Sequence, residues 1–415
     1  MERSNIRGLT PDITSSARRH GKAAFAFIFV TVALDMLALG VIIPVLPKLL
    51  LRFKGGDMAA AASITGVFGF TWAAMQFVFS PVLGALSDRF GRRPIVLLSN
   101  LGLGLDSLLM AVAPSLPWLF AGRVISGITT SSFPTAAAYV SDVTAPEERA
   151  ARFGLLGAAS GLGFVVGPAL GGVLGGVDLR LPFWVSAALS LLNAAYGFFV
   201  LPESLAPERR AAFSLKAANP LGSLRLLRSY SCVLGLAAAF FLFNLAHESL
   251  PSVFVLYTDY RYGWTPSQIG WVLAGVGVCW TAVSGGLVGP AVARLGERRV
   301  MLAGLVFGVA SFCIYGLAPT GALFLTGIPL LSLWAISEPA MQGLLTRRID
   351  ADEHGRLQGA LSSVRGVTGM LGPLLFSQTF AAAVSRGGAS GLVGAPYLLA
   401  SGLVGLSLGW SWLAT

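Results

Sequence analysis

The sequence has little charge, few cysteines and few histidines. Only 12% of its 415 residues are charged, about half the share in an ordinary soluble domain, so the chain cannot cover a water-exposed surface. Its three cysteines stand singly inside apolar runs, which leaves a disulfide framework and a cysteine metal cluster without support. A Walker loop, a dinucleotide fingerprint and an HExxH helix are also absent, so neither ATP-driven chemistry nor metalloenzyme chemistry is indicated.

One pattern typical of an enzyme does occur. Gly405-Leu406-Ser407-Leu408-Gly409 matches the nucleophile pattern G-x-S-x-G. That pattern needs a strand, a tight turn and a helix, whereas this segment lies inside an apolar run with no histidine next to it. The match is accidental, and we expect neither an enzyme nor a bound metal or cofactor.

Long apolar runs dominate the chain instead. Hydrophobic residues make up 55% of it and the mean hydropathy is +0.74, values that place it in a lipid bilayer. Crossing ~30 Å of hydrocarbon takes about 20 apolar residues, and runs of that length occur twelve times. We number these spans 1 to 12, and they cover residues 23–51, 59–86, 95–113, 117–142, 152–176, 181–201, 230–258, 266–293, 300–318, 321–345, 357–384 and 393–414.

Basic residues are unevenly distributed over the two faces of this array. An even number of spans puts the N-terminal tail, residues 1–22, on the same side as the C-terminus. That face holds 21 of the 29 lysines and arginines, and the opposite face holds 6. Since basic loops remain in the cytoplasm, we expect a multi-pass protein of the plasma (inner) membrane with both termini cytoplasmic. The net charge of +10 then reflects topology and not a nucleic-acid partner.

A short basic loop, Gly84 to Pro94, joins spans 2 and 3, and the chain contains it twice. Residues 289–299 keep its spacing 205 residues later, and the same offset continues through the following spans. The duplication predicts an all-α membrane bundle of two pseudo-symmetric six-span halves, residues 23–201 and 230–415, joined by a cytoplasmic loop at residues 202–229. The matched pairs include Gly84 and Gly289, Arg89 and Arg294, Gly91 and Gly296, Arg93 and Arg298, Pro134 and Pro339, Glu148 and Glu353, and Pro168 and Pro373.

Four segments resemble the motifs of one family. They are the loop Gly84 to Pro94, the run Gly163-Phe164-Val165-Val166-Gly167-Pro168-Ala169-Leu170-Gly171-Gly172 in span 5, Leu34-Asp35 with Pro44-Val45-Leu46-Pro47 in span 1, and Gly122-Arg123-Val124-Ile125-Ser126-Gly127 in span 4. With the duplicated halves, they make the chain similar to the major facilitator superfamily, and within it to the proton-coupled drug antiporters of the tetracycline-efflux type. The resemblance implies a monomer with a substrate site between the halves near the membrane midplane. The span-5 run favours export over uptake.

The span-5 motif has two open interpretations. Gly167 and Pro168 break the regular helix ladder, and the glycines around them let another helix approach at backbone distance. The helix could therefore act as a bending seal between conformations, or the small residues could serve packing alone. The antiporter motif consists of Gly163, Gly167, Pro168, Gly171 and Gly172.

The duplicated loop is interpreted as a latch of the outward-facing state. Asp88 can accept hydrogen bonds from a helix end or pair with Arg92, and Gly91 permits a tight turn. In the second copy Ala293 replaces Asp88, which predicts a weaker latch there. The predicted latch residues are Gly84, Asp88, Arg89, Gly91, Arg92 and Asp142.

Ionisable residues inside spans usually mark ion or substrate pathways, because each costs several kcal/mol unless it is paired or faces water. Asp35 lies roughly 18 Å from the cytoplasmic end of span 1 at 1.5 Å per residue, near mid-membrane. Asp35, Asp106 and Arg123 match family positions, so the resemblance implies that they couple transport to protons. The six residues are Asp35, Asp106, Arg123, Glu248, Glu338 and Arg365.

The C-terminal half departs from the family pattern. The acid expected in span 9 is absent, and Trp280 stands where a histidine is expected in span 8. Spans 7 and 10 carry acids instead, which favours cationic compounds as substrates. For His247, a hydrogen-bonded histidine at a helix interface is the favoured interpretation, and a place in the substrate cavity is the alternative. The predicted substrate-cavity residues are Glu248, Glu338, His247 and Trp334.

Together these features predict a proton-coupled efflux antiporter that exports a small amphipathic, drug-like compound of the tetracycline or multidrug type by alternating access. A carboxylate in mid-membrane can take up a proton from one side and release it to the other, and a bound cation would compete with that proton. The predicted partners are the substrate, protons and the lipid bilayer. A proton-coupled symporter for a small metabolite is the open alternative.

Overall fold

The computed structural model describes residues 13–213, 231–350, 353–387 and 392–415. Over these ranges the chain is helical and contains no strand. Eleven segments of it are long and apolar enough to cross a membrane. The remaining predicted span, residues 117–142, is present as two shorter helices separated at Thr130 and Ser131. The expected all-α membrane architecture is confirmed.

The helices described in the N-terminal half are α1 (Ile13–Ile42), α2 (Leu46–Phe53), α3 (Met58–Phe90), α4 (Arg92–Val112), α5 (Leu116–Thr129), α6 (Ser132–Val143), α7 (Arg149–Val177) and α8 (Leu181–Val200). Span 1 is divided into α1 and α2, and span 4 into α5 and α6. The other four spans of this half are single helices.

The helices described in the C-terminal half are α9 (Ser231–His247), α10 (Ser249–Tyr262), α11 (Pro266–Gly286), α12 (Val288–Leu295), α13 (Glu297–Leu317), α14 (Gly321–Leu325), α15 (Gly327–Trp334), α16 (Ser337–Thr346), α17 (His354–Ser385) and α18 (Ala395–Ala414). Span 7 is divided at Glu248, span 8 at Leu287, and span 10 is divided twice. Large apolar side chains on the outside of both halves are exposed, as expected for a surface that faces lipid.

Helix boundaries repeat at the offset found in the sequence. Four pairs of helices start 205 residues apart. Gly91 and Gly296, which precede the first of these pairs, have φ angles of +109° and +80°, which glycine adopts without strain. The duplicated loop therefore makes the same tight turn in both halves. The paired first residues are Arg92 and Glu297 (α4 and α13), Leu116 and Gly321 (α5 and α14), Ser132 and Ser337 (α6 and α16), and Arg149 and His354 (α7 and α17).

Spans 1, 4, 7, 8 and 10 are interrupted, and a proline follows each interruption. Proline lacks the N–H that would continue a helix ladder, but it fits the first turn of a new helix. The interruptions at residues 43–45 and at Glu248 are related by the 205-residue offset, and so are those at residues 130–131 and 335–336. The prolines in the first turns that follow are Pro47, Pro134, Pro251, Pro290, Pro329 and Pro339.

The two halves touch mainly along two helix pairs, α3 with α17 and α7 with α11. Glycines allow this close approach. An added Cβ at Gly66 would lie 2.8 Å from the carbonyl oxygen of Pro373, and one at Gly172 would lie 2.8 Å from Gly270 Cα. Both contacts lie toward the end of the bundle away from the loop Gly84 to Pro94. We call that end the far end, and the opposite one the loop end.

An ion pair also joins the halves at the far end. Lys48 Nζ, in α2, lies 3.0 Å from Asp259 Oδ1, in α10, and 2.7 Å from the carbonyl oxygen of Trp264. At the loop end, by contrast, an added Cβ at Gly84 or Gly289 would meet no atom of the described chain within 4 Å. The structure is therefore a conformation closed at the far end and open at the loop end.

Candidate functional site

A cavity of about 920 Å³ lies between the halves. Its wall is mainly apolar and includes three charged side chains, Arg123, Glu248 and Arg365. Sites for small molecules typically have this size and combine an apolar wall with a few polar groups. In the described part of the chain, no three His, Cys, Asp or Glu side chains are grouped so that they could hold a metal ion. The aromatic rings of the wall belong to Phe68, Trp72, Phe77 and Phe164.

Glu248 is the acid that faces this cavity. It lies at the interruption between α9 and α10, where its N–H still bonds to the carbonyl oxygen of Asn244 at 3.3 Å. Its side chain packs on α17, because an added Cβ at Gly372 would collide with it and one at Gly369 would lie 3.9 Å from its Oε1 atom. The interruption and the two glycines thus bring a carboxylate to the cavity wall.

Glu338 lies behind the wall of this cavity. Its Oε1 atom accepts hydrogen bonds from Arg365 Nη2 at 2.7 Å and from Arg365 Nε at 3.2 Å, and Arg365 is the partner that reaches the cavity. Glu338 itself faces a second cavity of about 450 Å³ beside Trp280 and Gln342. Arg365 has no role predicted from the sequence, although an arginine in span 11 and an acid in span 10 are the signal for such a pair.

His247 and Trp334 lie in the aromatic core of the C-terminal half. The ring centroid of His247 is 5.8 Å from those of Trp280 and Trp334, and Trp334 is fully buried. A Cβ added at Gly308, in span 9, would collide with the Trp334 indole. Of the four residues predicted for the substrate cavity, Glu248 alone lines the large one.

Asp106 and Arg123 form an ion pair between α4 and α5. Asp106 is fully buried, whereas Arg123 reaches the wall of the large cavity. Only glycine fits at position 122, since an added Cβ would lie 2.6 Å from Asp106 Oδ1. Each half thus presents an arginine to the cavity. In each half, this arginine forms an ion pair with an acid outside the cavity wall.

Asp35 lies in α1, outside the cavity wall. It is 3% exposed, and the hydroxyl of Ser132, at the start of α6, lies next to its carboxyl group. Its Oδ1 atom has no hydrogen-bond partner in the described part of the chain. A buried carboxyl group with an unfilled hydrogen-bonding position requires an explanation, and in a membrane protein proton exchange is one. Its role in coupling stays a prediction.

The predicted latch residues cluster at the loop end. Arg92 donates to Asp88 at 2.5 Å and to Asp142 at 3.1 Å. The Arg89 guanidinium lies over the ring of the next residue, and Gly84 faces open space. Both acids that hold Arg92 belong to its own half. In this conformation, their ion pairs therefore do not connect the two halves.

Glu203 completes this cluster, although it is not among the latch residues predicted from the sequence. Its carboxylate accepts hydrogen bonds from the backbone N–H groups of Arg92 at 2.8 Å and Arg93 at 3.3 Å, in the first turn of α4. A carboxylate at this position satisfies free N–H groups and complements the helix dipole. Gly91 makes the room, because an added Cβ would collide with the carboxylate. The sequence signal for this contact is an acid placed directly after span 6.

The span-5 motif lies between two neighbouring helices. An added Cβ at Gly167 would lie 2.6 Å from the α1 backbone, and one at Gly172 would meet α11 of the other half. The carbonyl oxygen of Pro168 also approaches α11 at Gly270. Close packing by small residues is therefore present, and a sealing role stays a prediction. The glycines that face α1 are Gly163, Gly167 and Gly171.

Two helical halves around a cavity that opens at one end define a membrane transporter and not an enzyme. The chain belongs to the Major Facilitator Superfamily, whose family model matches residues 28–373 and 236–414. The tetracycline resistance protein, class C, of Escherichia coli is 38% identical over 377 residues, which cover 91% of this chain and 94% of that protein. The class D protein of Salmonella ordonez is 34% identical over 375 residues, which cover 90% of this chain and 93% of that protein.

A solved structure shows the same fold. The crystal structure of the nucleoside transporter NupG matches with a TM-score of 0.78 at 12% identity, covering 94% of this chain and 99% of that chain. The predicted membership of the superfamily and the resemblance to tetracycline-efflux proteins are confirmed. The protein is a multi-pass membrane transporter.

Proposed function

We propose that this protein is a proton-coupled efflux antiporter that exports a small amphipathic, drug-like compound. The observation that carries the proposal is the large cavity between the halves, with an apolar and aromatic wall and Glu248 in it. An apolar wall binds compounds that also partition into lipid. The tetracycline resistance proteins, which resemble the chain over most of its length, support a role in drug efflux.

Proton coupling is assigned to Asp35 with the Asp106–Arg123 pair. Asp35 is enclosed, and its Oδ1 atom has no hydrogen-bond partner among the described residues, so a proton bound there is shielded from water in this conformation. Exchange requires that protonation and substrate binding oppose each other. An acid that loads a proton while the cavity releases its substrate satisfies this requirement.

The transport cycle is proposed to alternate between this conformation and one that opens at the far end. Residues 23–201 would rock against residues 230–415 around the cavity, and the loop cluster of Asp88 and Arg92 would then meet the start of α17 and latch the loop end. Following the distribution of basic residues, the loop end and both termini would be cytoplasmic, in the plasma (inner) membrane. The protein would act as a monomer, in which one chain forms the whole cavity.

Inverted membrane vesicles with an acidic interior test this function. Tetracycline and a set of amphipathic amines and neutral compounds are added outside, on the cytoplasmic face, while a pH-sensitive dye reports the interior. An antiporter moves the compound inward and protons outward, so the interior should become more alkaline. Vesicles without the protein are the control. Accumulation of compound without proton movement, or movement of both in one direction, would refute antiport, and the latter would favour a symporter.

Replacing Gly172 by valine is expected to abolish transport by preventing closure of the far end. Gly270 Cα would lie 2.8 Å from even the first added carbon, so the side chain forces the halves apart there. A cysteine placed at Leu46, in the cavity wall, should then react faster with an impermeant thiol reagent added at the far end. Gly402→Val is the matched control, because α18 packs on helices of its own half and no described atom would lie within 4 Å of the added Cβ. Normal transport by Gly172→Val would show that this contact is dispensable.

A further inference from the structure

Two side chains of opposite charge lie on the same side of the large cavity, along α17. Arg365 belongs to α17 itself, and the Glu248 carboxylate lies over Gly369, four residues further along that helix. The backbone positions of Arg365 and Gly369 are therefore about one helical turn, roughly 6 Å, apart along the helix axis. Both side chains line the cavity, yet they form no ion pair with each other in the described structure.

Arg365 is fixed by contacts on the side away from the cavity, and its other side is open to the cavity. Glu338 accepts hydrogen bonds from its Nε and Nη2 atoms, and the ring of Phe240 lies 5.2 Å from the guanidinium carbon. The Nη1 atom has no partner in the described part of the chain, and 39% of the side chain is exposed. A guanidinium fixed in this way offers a pre-oriented donor to an acidic group in the cavity.

Glu248 supplies the opposite charge. It forms no ion pair in the described part of the chain, and its wall neighbours are mostly apolar. A substrate with a basic group alone would pair with Glu248 and leave the open edge of Arg365 against apolar ligand surface. Burying a polar group without a partner is unfavourable, so a substrate that also carries an acidic group would satisfy both side chains.

We propose that the cavity selects amphipathic compounds with one basic and one acidic group, with Glu248 binding the basic group and Arg365 the acidic group. This inference rests on the proposed function, in that it takes the cavity as the substrate site. The acids of spans 7 and 10 indicate cationic compounds when only the sequence is considered. The arrangement of Glu248 and Arg365 instead favours compounds that carry both charges. Glu338 becomes a positioning residue for Arg365 and does not contact the substrate.

Binding to the purified full-length protein in nanodiscs, without a proton gradient, tests the proposal. The probes share one naphthalene ring and differ only in charge: naphthylmethylamine, naphthoic acid, the combined aminomethyl-naphthoic acid and uncharged naphthylmethanol. The combined compound should bind roughly 10-fold or more tightly than either singly charged one, as expected for one added charge-assisted hydrogen bond.

Three variants separate the contributions of Glu248 and Arg365. Glu248→Gln should make the combined compound bind no better than naphthoic acid. The double variant Arg365→Gln with Glu338→Gln removes the ion pair without leaving an unpaired acid, and it should make the combined compound bind no better than naphthylmethylamine. Arg365→Lys, which keeps the charge, should retain part of the preference. Equal binding of naphthylmethylamine and the combined compound, an unchanged preference in the double variant, or no binding of any probe would overturn the proposal.

Transport of the same probes distinguishes this proposal from the proposed function. If the vesicles exchange protons for these compounds without preference for the combined one, the charge-pair inference fails and antiport stands. If the combined compound binds tightly but moves without protons, antiport fails and the inference stands.

Discussion

Asp35→Asn is expected to abolish proton-driven transport and to leave compound binding unchanged. Asparagine has nearly the same shape as aspartate, so it fits the same space beside Ser132, but it cannot take up or release a proton. Because Asp35 lies outside the wall of the large cavity, the cavity and its charged groups should be preserved. In the vesicle assay, substrate-induced alkalinisation should disappear, while exchange of labelled for unlabelled compound without a gradient should continue.

The matched control is Asp57→Asn. Asp57 is an exposed acid that caps α3 through a hydrogen bond from Ala60 N–H at 2.9 Å, and asparagine caps helices equally well. This variant loses the same charge at a position outside the cavity and should transport normally. If Asp35→Asn kept its response to the proton gradient, coupling would have to be assigned elsewhere. If it lost binding instead, Asp35 would belong to the substrate pathway.

The fold follows from signals that are local in the sequence. The length of each apolar run defines a span, and the 205-residue repeat is visible in single residues, such as Gly91 and Gly296, because a positive φ leaves glycine as the favoured residue at both turns. Pro134 and Pro339 likewise repeat at this offset, and each lies in the first turn of the helix that follows an interruption, where proline fits. These effects need no knowledge of which helices are neighbours.

The site depends on packing that the sequence does not encode locally. Glu248, Glu338 and Arg365 are all recognisable as unusual residues within spans, but which of them faces the cavity is decided by how α17 packs. Glycines at positions 369 and 372 of that helix admit Glu248, whereas Glu338 is held behind the wall by Arg365. The contact of Lys48 with Asp259 joins residues 211 positions apart, and no periodicity predicts it.

Reversing the charge of Lys48 is expected to open the far end. Both side chains of the pair are largely buried, with 11% and 22% exposed, and Lys48 also donates to the carbonyl oxygen of Trp264. Hydrogen bonds to a charged group contribute about 1.5–3 kcal/mol, and Lys48→Glu replaces this attraction by repulsion from Asp259. The equilibrium between the two conformations should therefore shift by roughly 10-fold or more. Spin labels at the loop ends of α3 and α17 should report a shorter distance, because the loop end closes as the far end opens.

The charge-swapped pair, Lys48→Asp with Asp259→Lys, decides whether the ion pair itself is responsible. Restoring opposite charges should return most of the population to the longer loop-end distance, although the new acid at position 48 cannot donate to Trp264. Arg347→Glu is the matched control, because its partner Glu297 lies in the same half at 3.1 Å, so repulsion there does not act between the halves. A far end that stays closed in Lys48→Glu, or a swap that restores nothing, would mean that the packing of Gly66 and Gly172 holds this conformation without the ion pair.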